Sequence, residues 1–257
     1  MKLTKRILLG MVFLLFLGIV LSAFQFKKVY DKSGKGNPWF LYGTILDQPF
    51  SHLVIRGGNI PRVIYEPADT CSVRVMKWWS GFNEKRVKAV VQQDTLYIDF
   101  PTVYNDVYDK AALNNSDILR VFSPQLKSVT AFNTNLAMLN VKQQNLQLDI
   151  SGKSSFRVES LVKEFDHVSI LASDSSDIGV YISPVLKYRR EVADDKTTVA
   201  EEAIKGWDVY HVSVLGLNVT GKSTVDVRTA LIDSLDARVS DTSSVFLAGE
   251  VMKRHWR

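Results

Sequence analysis

Ile150–Val158 (ISGKSSFRV), Ala172–Val180 (ASDSSDIGV), Val219–Val227 (VTGKSTVDV) and Val239–Leu247 (VSDTSSVFL) superpose without a gap. Position one is Ile, Ala, Val, Val, position two is Ser, Ser, Thr, Ser, and position five is Ser in all four. Position seven is Phe, Ile, Val, Val, and position nine is Val, Val, Val, Leu. A weaker fifth copy begins at Ala131. Apolar residues at one, seven and nine, with small polar residues between, spell strand, turn, strand. A unit this small cannot bury its own apolar face, so the units must stack. The apolar positions then line one interior, and Ser, Thr, Asp and Gly form the corner, where stacked hydroxyls bond to neighbouring turn backbone.

The copies start 22, 47 and 20 residues apart. A period near 20 without a helix predicts a β-solenoid, because the Leu-x-x-Leu-x-Leu-x-x-Asn signature of the leucine-rich repeat is absent. The long interval is either two units or one unit with an insertion. Lys187–Asp208 (KYRREVADDKTTVAEEAIKGWD) is charged and lacks alternation, which favours the insertion, with one short helix expected at Val199–Lys205.

Upstream, the same period-two pattern continues. Leu53 and Ile55 alternate with His52, Val54 and Arg56; Cys71, Val73 and Val75 with Ser72, Arg74 and Met76; Leu96, Ile98 and Phe100 with Thr95, Tyr97 and Asp99. Turn formers such as Gly57-Gly58-Asn59 and Glu66-Pro67-Ala68-Asp69 bound these runs, so they read as strands. Cys71 shares a side with Val73 and Val75 and is expected to pack inward as a small hydrophobe.

The N-terminus has a different character. Lys2, Lys5 and Arg6 precede an uncharged run from Ile7 to Phe26 (ILLGMVFLLFLGIVLSAFQF). Twenty helical residues span about 30 Å, the thickness of a hydrocarbon core. A buried soluble helix would show polar positions at a 3.6 period, and none precedes Ser22. A cleaved signal peptide needs small residues at −3 and −1, whereas cleavage after Ala23 or Ser22 places Leu21 or Val20 at −3. An uncleaved anchor is therefore favoured over a cleaved peptide. Lys27–Pro38 (KKVYDKSGKGNP) reads as a polar tether.

The formal charge of +5 on 257 residues belongs largely to the ends. Removing Lys2, Lys5 and Arg6 leaves +5 − 3 = +2, and removing Lys253, Arg254 and Arg257 leaves +2 − 3 = −1. A body without a basic stripe argues against nucleic-acid binding. A single cysteine forms no internal disulfide and no thiolate zinc site, and His52, His167, His211 and His255 show no metal-ligand spacing. No cofactor or metal is expected.

Phe50–Ile64 (FSHLVIRGGNIPRVI), then TCSVRV, KAVVQQDTLYIDF and corners of the ISGKSSFRV type, resembles the bacterial auto-transporter adhesin, head GIN domain family. The similarity covers roughly Phe50 to Gly249 and rests on Ser/Gly corners; Lys187–Asp208 departs from it. The resemblance implies a right-handed β-helix behind a signal or anchor, found mainly in Bacteroidetes envelope proteins. It implies adhesion by association and offers no catalytic residues.

Three features bear on chemistry. Gly216–Ser223 (GLNVTGKS) matches the G-x-x-x-x-G-K-[ST] phosphate loop, which needs a helix opening at Gly221, Lys222 and Ser223. Thr224–Val227 alternates like a strand instead, and Gly-Lys-Ser recurs at Gly152–Ser154, so a corner is expected and no nucleotide site. Asp174, Asp177 and Asp241 lie in corners, where a carboxylate accepts turn N–H groups more readily than it acquires the raised pKa of a glycosidase acid. Trp78 and Trp79, adjacent in a strand-like run, should face opposite ways, leaving one for ligand contact or for shielding by a terminal cap.

The expectation is therefore an all-β chain, a right-handed single-stranded β-helix behind a transmembrane helix. Its parts are an anchor or signal peptide at 1–26, a tether at 27–49, a β-solenoid at 50–250 with an insertion near 187–208, and a basic tail at 251–257. The expected protein is not an enzyme but a single-pass cell-envelope protein. Its β domain lies outside the cytoplasm, periplasmic or at the surface, and serves binding or adhesion. The bilayer is one partner and a surface glycan or envelope protein the other. The alternative is a polysaccharide-processing enzyme of the envelope, requiring paired carboxylates in one groove.

Overall fold

The computed structural model describes residues 2–32, 39–59, 61–79, 86–100, 116–141, 143–159, 164–180, 210–228 and 230–255, in two units, Met1–Gly43 and Thr44–Arg257. The expected insertion at 187–208 and its helix at 199–205 lie outside the described residues.

In the first unit, helix α1 (Lys2–Lys32) carries the apolar run. Met11, Leu14, Phe16 and Phe24 are exposed on it, and Gly10–Lys28 is long and apolar enough to cross a membrane. The helix does not stop at Phe26. Lys27 to Lys32 contain no Gly or Pro to end it, so the first half of the expected polar tether is helical.

Strands follow in the order β1 (Tyr42–Leu46), β2 (His52–Arg56), β3 (Arg62–Pro67), β4 (Ser72–Met76), β5 (Lys88–Gln92) and β6 (Thr95–Asp99). Next come β7 (Asp117–Ser123), β8 (Ser128–Phe132), β9 (Asn135–Leu139), β10 (Asn145–Ser151), β11 (Ser155–Glu159) and β12 (Glu164–Ala172). The last are β13 (Asp177–Val180), β14 (Tyr210–Val219), β15 (Thr224–Val227), β16 (Ala230–Val239) and β17 (Ser244–Leu247), then helix α2 (Gly249–His255). The strand order is β1-β4-β7-β3-β9-β11-β13-β15-β17 in one sheet and β16-β14-β12-β10-β8-β2-β6-β5 in the other.

From β8 onward the chain places strands alternately in the two sheets, and each pairs in parallel with the strand two elements later. The register matches the sequence repeat. Position one pairs Ile150 with Ala172, Ala172 with Val219 and Val219 with Val239; position seven pairs Phe156 with Ile178, Ile178 with Val225 and Val225 with Val245. Because Ala172 pairs directly with Val219, the interval of 47 residues is one unit plus an insertion. The copy at Ala131 starts in register with Ile150, but its corner is one residue shorter, with Asn135 opposite Ser155.

Nearer the N-terminus the regularity breaks. β2 lies between β8 and β6, and β3 between β9 and β7, so spatial order departs from chain order. β4 pairs antiparallel with β7, and β5 antiparallel with β6. The core lies between the sheets. Ile98, Ile55, Ala131, Ile150, Ala172 and Val219 form one buried column, faced by Val63, Leu136, Phe156, Ile178 and Val225. Each large member contributes about 1.5–3 kcal/mol by leaving water.

The corners are held by their own ladder. Ser154, Ser176 and Ser223, at position five, are buried, as is Thr134 in the shorter corner. Their carbonyls accept the N–H of Asp177, Thr224 and Ser244, and Thr134 that of Ser155, at 2.8–2.9 Å. Ser154 Oγ accepts the Thr134 N–H at 3.0 Å, and Ser176 donates its N–H and hydroxyl to Ser223 Oγ at 3.3 and 3.1 Å. The chain turns because position three takes positive φ, 69° at Gly152, 66° at Asp174 and 69° at Gly221. Residues 251–255, expected to belong to a basic tail, are part of α2, whose Val251 is buried.

Candidate functional site: the outer sheet faces

Strand alternation sends every second residue outward, and the two sheets use that side differently. On the eight-stranded sheet, His52, Ser128, Gln147, Ser169, Gly216 and Asp236 lie side by side in register. At about 4.8 Å between strands, the row is about 24 Å long. A second row carries Tyr97, Val54, Thr130, Asp149, Leu171 and Asn218. All these positions are at least partly open to solvent. His52 Nδ1 lies 2.7 Å from Ser128 Oγ, and the Arg56 guanidinium lies 5.8 Å from the Tyr97 ring centroid. A Cβ at Gly216 would meet Ser169 Oγ only at 4.0 Å, so the face is flat and open there. Hydroxyls (Ser128, Thr130, Ser169) and amides (Gln147, Asn218) recur at strand spacing, beside one imidazole, one aromatic ring, the carboxylates Asp149 and Asp236, and the apolar Val54 and Leu171. Such a surface both donates and accepts hydrogen bonds. The same side also carries Arg56 with Asp99 at 3.7 Å and His211 with Asp233 at 2.8 Å.

The nine-stranded sheet turns a larger set of paired charges outward. Arg62 meets Asp117 at 2.7 Å, and Arg120 reaches Asp117 at 3.3 Å and Glu66 at 2.5 Å. Arg157 is paired with Asp177, and Arg228 with Asp226 at 2.7 Å. Hydrogen bonds from Arg228 hold the Asp226 carboxyl below the usual carboxylate range, outweighing the opposing effect of partial burial. Ile64 and Ala137, adjacent in register on this outward side, are buried. Beneath the sheet, burial pushes the Tyr65 phenol up, although its hydroxyl bonds to Ser123.

The residues singled out from sequence fall in several places. Trp78 is exposed and Trp79 buried, as expected, but neither lies in a strand: β4 ends at Met76 and the pair follows in a turn. A turn, with the Trp79 N–H on the Met76 carbonyl at 3.3 Å, separates their directions rather than strand alternation. Neither tryptophan belongs to the outward rows. Among the described residues, the Trp79 indole N–H has no acceptor.

Gly216 belongs to β14, Gly221 and Lys222 form the turn, and Ser223 is the buried corner serine. Strand β15 follows, so the triplet opens no helix. The Lys222 N–H is committed to the Asp174 carbonyl at 2.6 Å. Asp174 Oδ2 accepts the Gly152 N–H at 3.1 Å, Asp177 binds Arg157, and Asp241 sits exposed in the last corner. Cys71 lies just before β4, half-buried against the core. Among the described residues no cluster of three His, Cys, Asp or Glu side chains could hold a metal. Sequence reasoning missed the outward rows, although their signal was present as the polar residue between each pair of apolar ones.

No protein-family model matches the chain, and no curated protein does. Among solved structures, a candidate adhesin from Parabacteroides merdae is 14% identical, with a TM-score of 0.42 and 79% of each chain covered. A candidate lipid-binding protein from Parabacteroides distasonis is 14% identical at a TM-score of 0.38, covering 84% of this chain and 96% of that one. A candidate adhesin from Bacteroides fragilis is 8% identical at a TM-score of 0.37, covering 79% and 94%.

Proposed function

We propose that this is a membrane-anchored envelope protein whose two sheets are faces of one right-handed β-helix, and that it acts by binding rather than by catalysis. In this reading α1 anchors the chain, the β domain lies outside the cytoplasm, and the outward rows of the eight-stranded sheet are the contact surface. The observation that carries the reading is the asymmetry between the sheets. The outer face of the nine-stranded sheet commits Arg62, Arg120, Arg157 and Arg228 to carboxylates, whereas the eight-stranded sheet, beside its Arg56–Asp99 and His211–Asp233 pairs, offers rows of hydroxyls and amides with Tyr97 at one end. A flat face of this kind suits an extended, hydroxyl-rich ligand such as a surface glycan, through hydrogen bonds and contact with the aromatic ring.

The test is binding of the detergent-solubilised full chain to an immobilised array of bacterial surface glycans. Retention on a subset of glycans is expected. The Gln147→Arg/Ser169→Arg double variant should lose at least tenfold in affinity, and Asp226→Asn, on the other sheet, should leave binding unchanged. Absence of retention, or a double variant that binds like the parent, would refute the glycan-face reading.

A further inference from the structure

The last unit of the stack leaves an edge that fits a second copy of itself. β16 and β17 end their respective sheets, and among the described residues neither has a partner on its far side. The positions that are buried in the preceding unit open here: Val219 is 0% exposed and its partner Val239 45%. Leu235, Ala237, Val245 and Leu247 are only partly buried. α2 packs on this strand, and exposure grows along its inward positions from Ile232 at 1% to Val239 at 45%, which leaves the second half uncovered.

The edge is also chemically ready. Ser240 donates its N–H to the Val219 carbonyl at 2.9 Å. Successive peptide groups of a strand point to opposite edges, so the N–H and C=O groups of Leu235, Ala237 and Val239 face away from β14. An edge with unpaired backbone groups and apolar side chains is a template for another strand.

We infer that a second copy of this chain docks here about a two-fold axis at Ala237, pairing β16 with its counterpart antiparallel. This register is self-complementary, as an isologous contact must be. It sets Leu235 opposite the second copy's Val239 on the inward side. On the outward side it sets Asp236 opposite Arg238, and Arg238 opposite Asp236, two opposite-charge pairs from one strand. The two-fold axis therefore sets the uncovered half of each last unit, residues 235–239, against the uncovered half of the other.

The full chain in detergent micelles, with its protein mass measured by light scattering, tests the inference. The parent is expected at the mass of two chains. Asp236→Arg or Arg238→Asp alone, which sets like charges opposite each other, should give one chain, and the Asp236→Arg/Arg238→Asp double variant should restore two. Ala237→Cys in a Cys71→Ser background should form an intermolecular disulfide on mild oxidation, because opposed residues of an antiparallel pair lie within disulfide reach. A parent of one-chain mass, single variants that remain dimeric, a double variant that remains monomeric, or no Ala237→Cys cross-link would each overturn it. Capture of a different protein in place of a second copy would overturn it as well.

Discussion

At Gly221, two independent constraints fall on one atom that is missing. Its φ is 69°, and a Cβ would meet the Asp174 backbone at 2.6–2.9 Å, a neighbour that cannot rotate away. Gly221→Ala should therefore cost about 2–4 kcal/mol in denaturant unfolding, as left-handed strain and overpacking combine. Gly216→Ala, five residues earlier with open space around it, should stay within about 0.5 kcal/mol. The neighbouring side chains differ in the same way. Ser223→Ala removes a buried acceptor from Ser176 and should cost about 1–3 kcal/mol, whereas Lys222→Ala, at an exposed turn, should be nearly neutral. A phosphate site would reverse the emphasis, with Lys222 mattering for function and Ser223 little for stability. Asp226 gives a pH signature. Its folded pKa lies below its unfolded one, so its stabilisation is present above the ordinary carboxylate range and is lost as pH falls through the depressed value. Chemical denaturation from pH 6 downward should show Asp226→Asn converging on the parent in acid.

The strands were legible to the extent that one period was enough to define them. Ser151 to Val158 could be read because inward residues fall at fixed positions around a Ser-containing corner, and the observed pairing follows that alignment. Phe156→Ala, in the column built by that register, should cost about 3–5 kcal/mol. Where a strand changes phase, period two misleads. Phe165 and Val168, Val212 and Leu215, and Ile232 and Leu235 all turn inward three residues apart, so the long strands β12, β14 and β16 bend at stacked positions. A pattern read from alternation alone has no term for two consecutive outward residues. Trp78 and Trp79 escaped for the converse reason: apolar side chains continued the appearance of a strand after the backbone had turned. The outward rows were visible in composition but not in position. His52 and Ser128 are 76 residues apart in sequence, and only pairing through β2 and β8 makes them neighbours.

At the scale of the molecule, the end of the stack depends on a short helix. Val251 of α2 is buried, in a segment whose basic residues read as a free tail. Val251→Asp should detach α2 and uncover the last unit, measured as increased binding of an apolar dye and a lower unfolding midpoint, with little change in far-UV β signal. The order of the sheets has a consequence in time rather than in energy. During synthesis the N-terminal strands emerge first, yet β2 and β3 are flanked on one side by β8 and β9. They must therefore wait, with one edge open, while more than seventy further residues appear, and in that interval the chain depends on whatever holds nascent strands apart from one another.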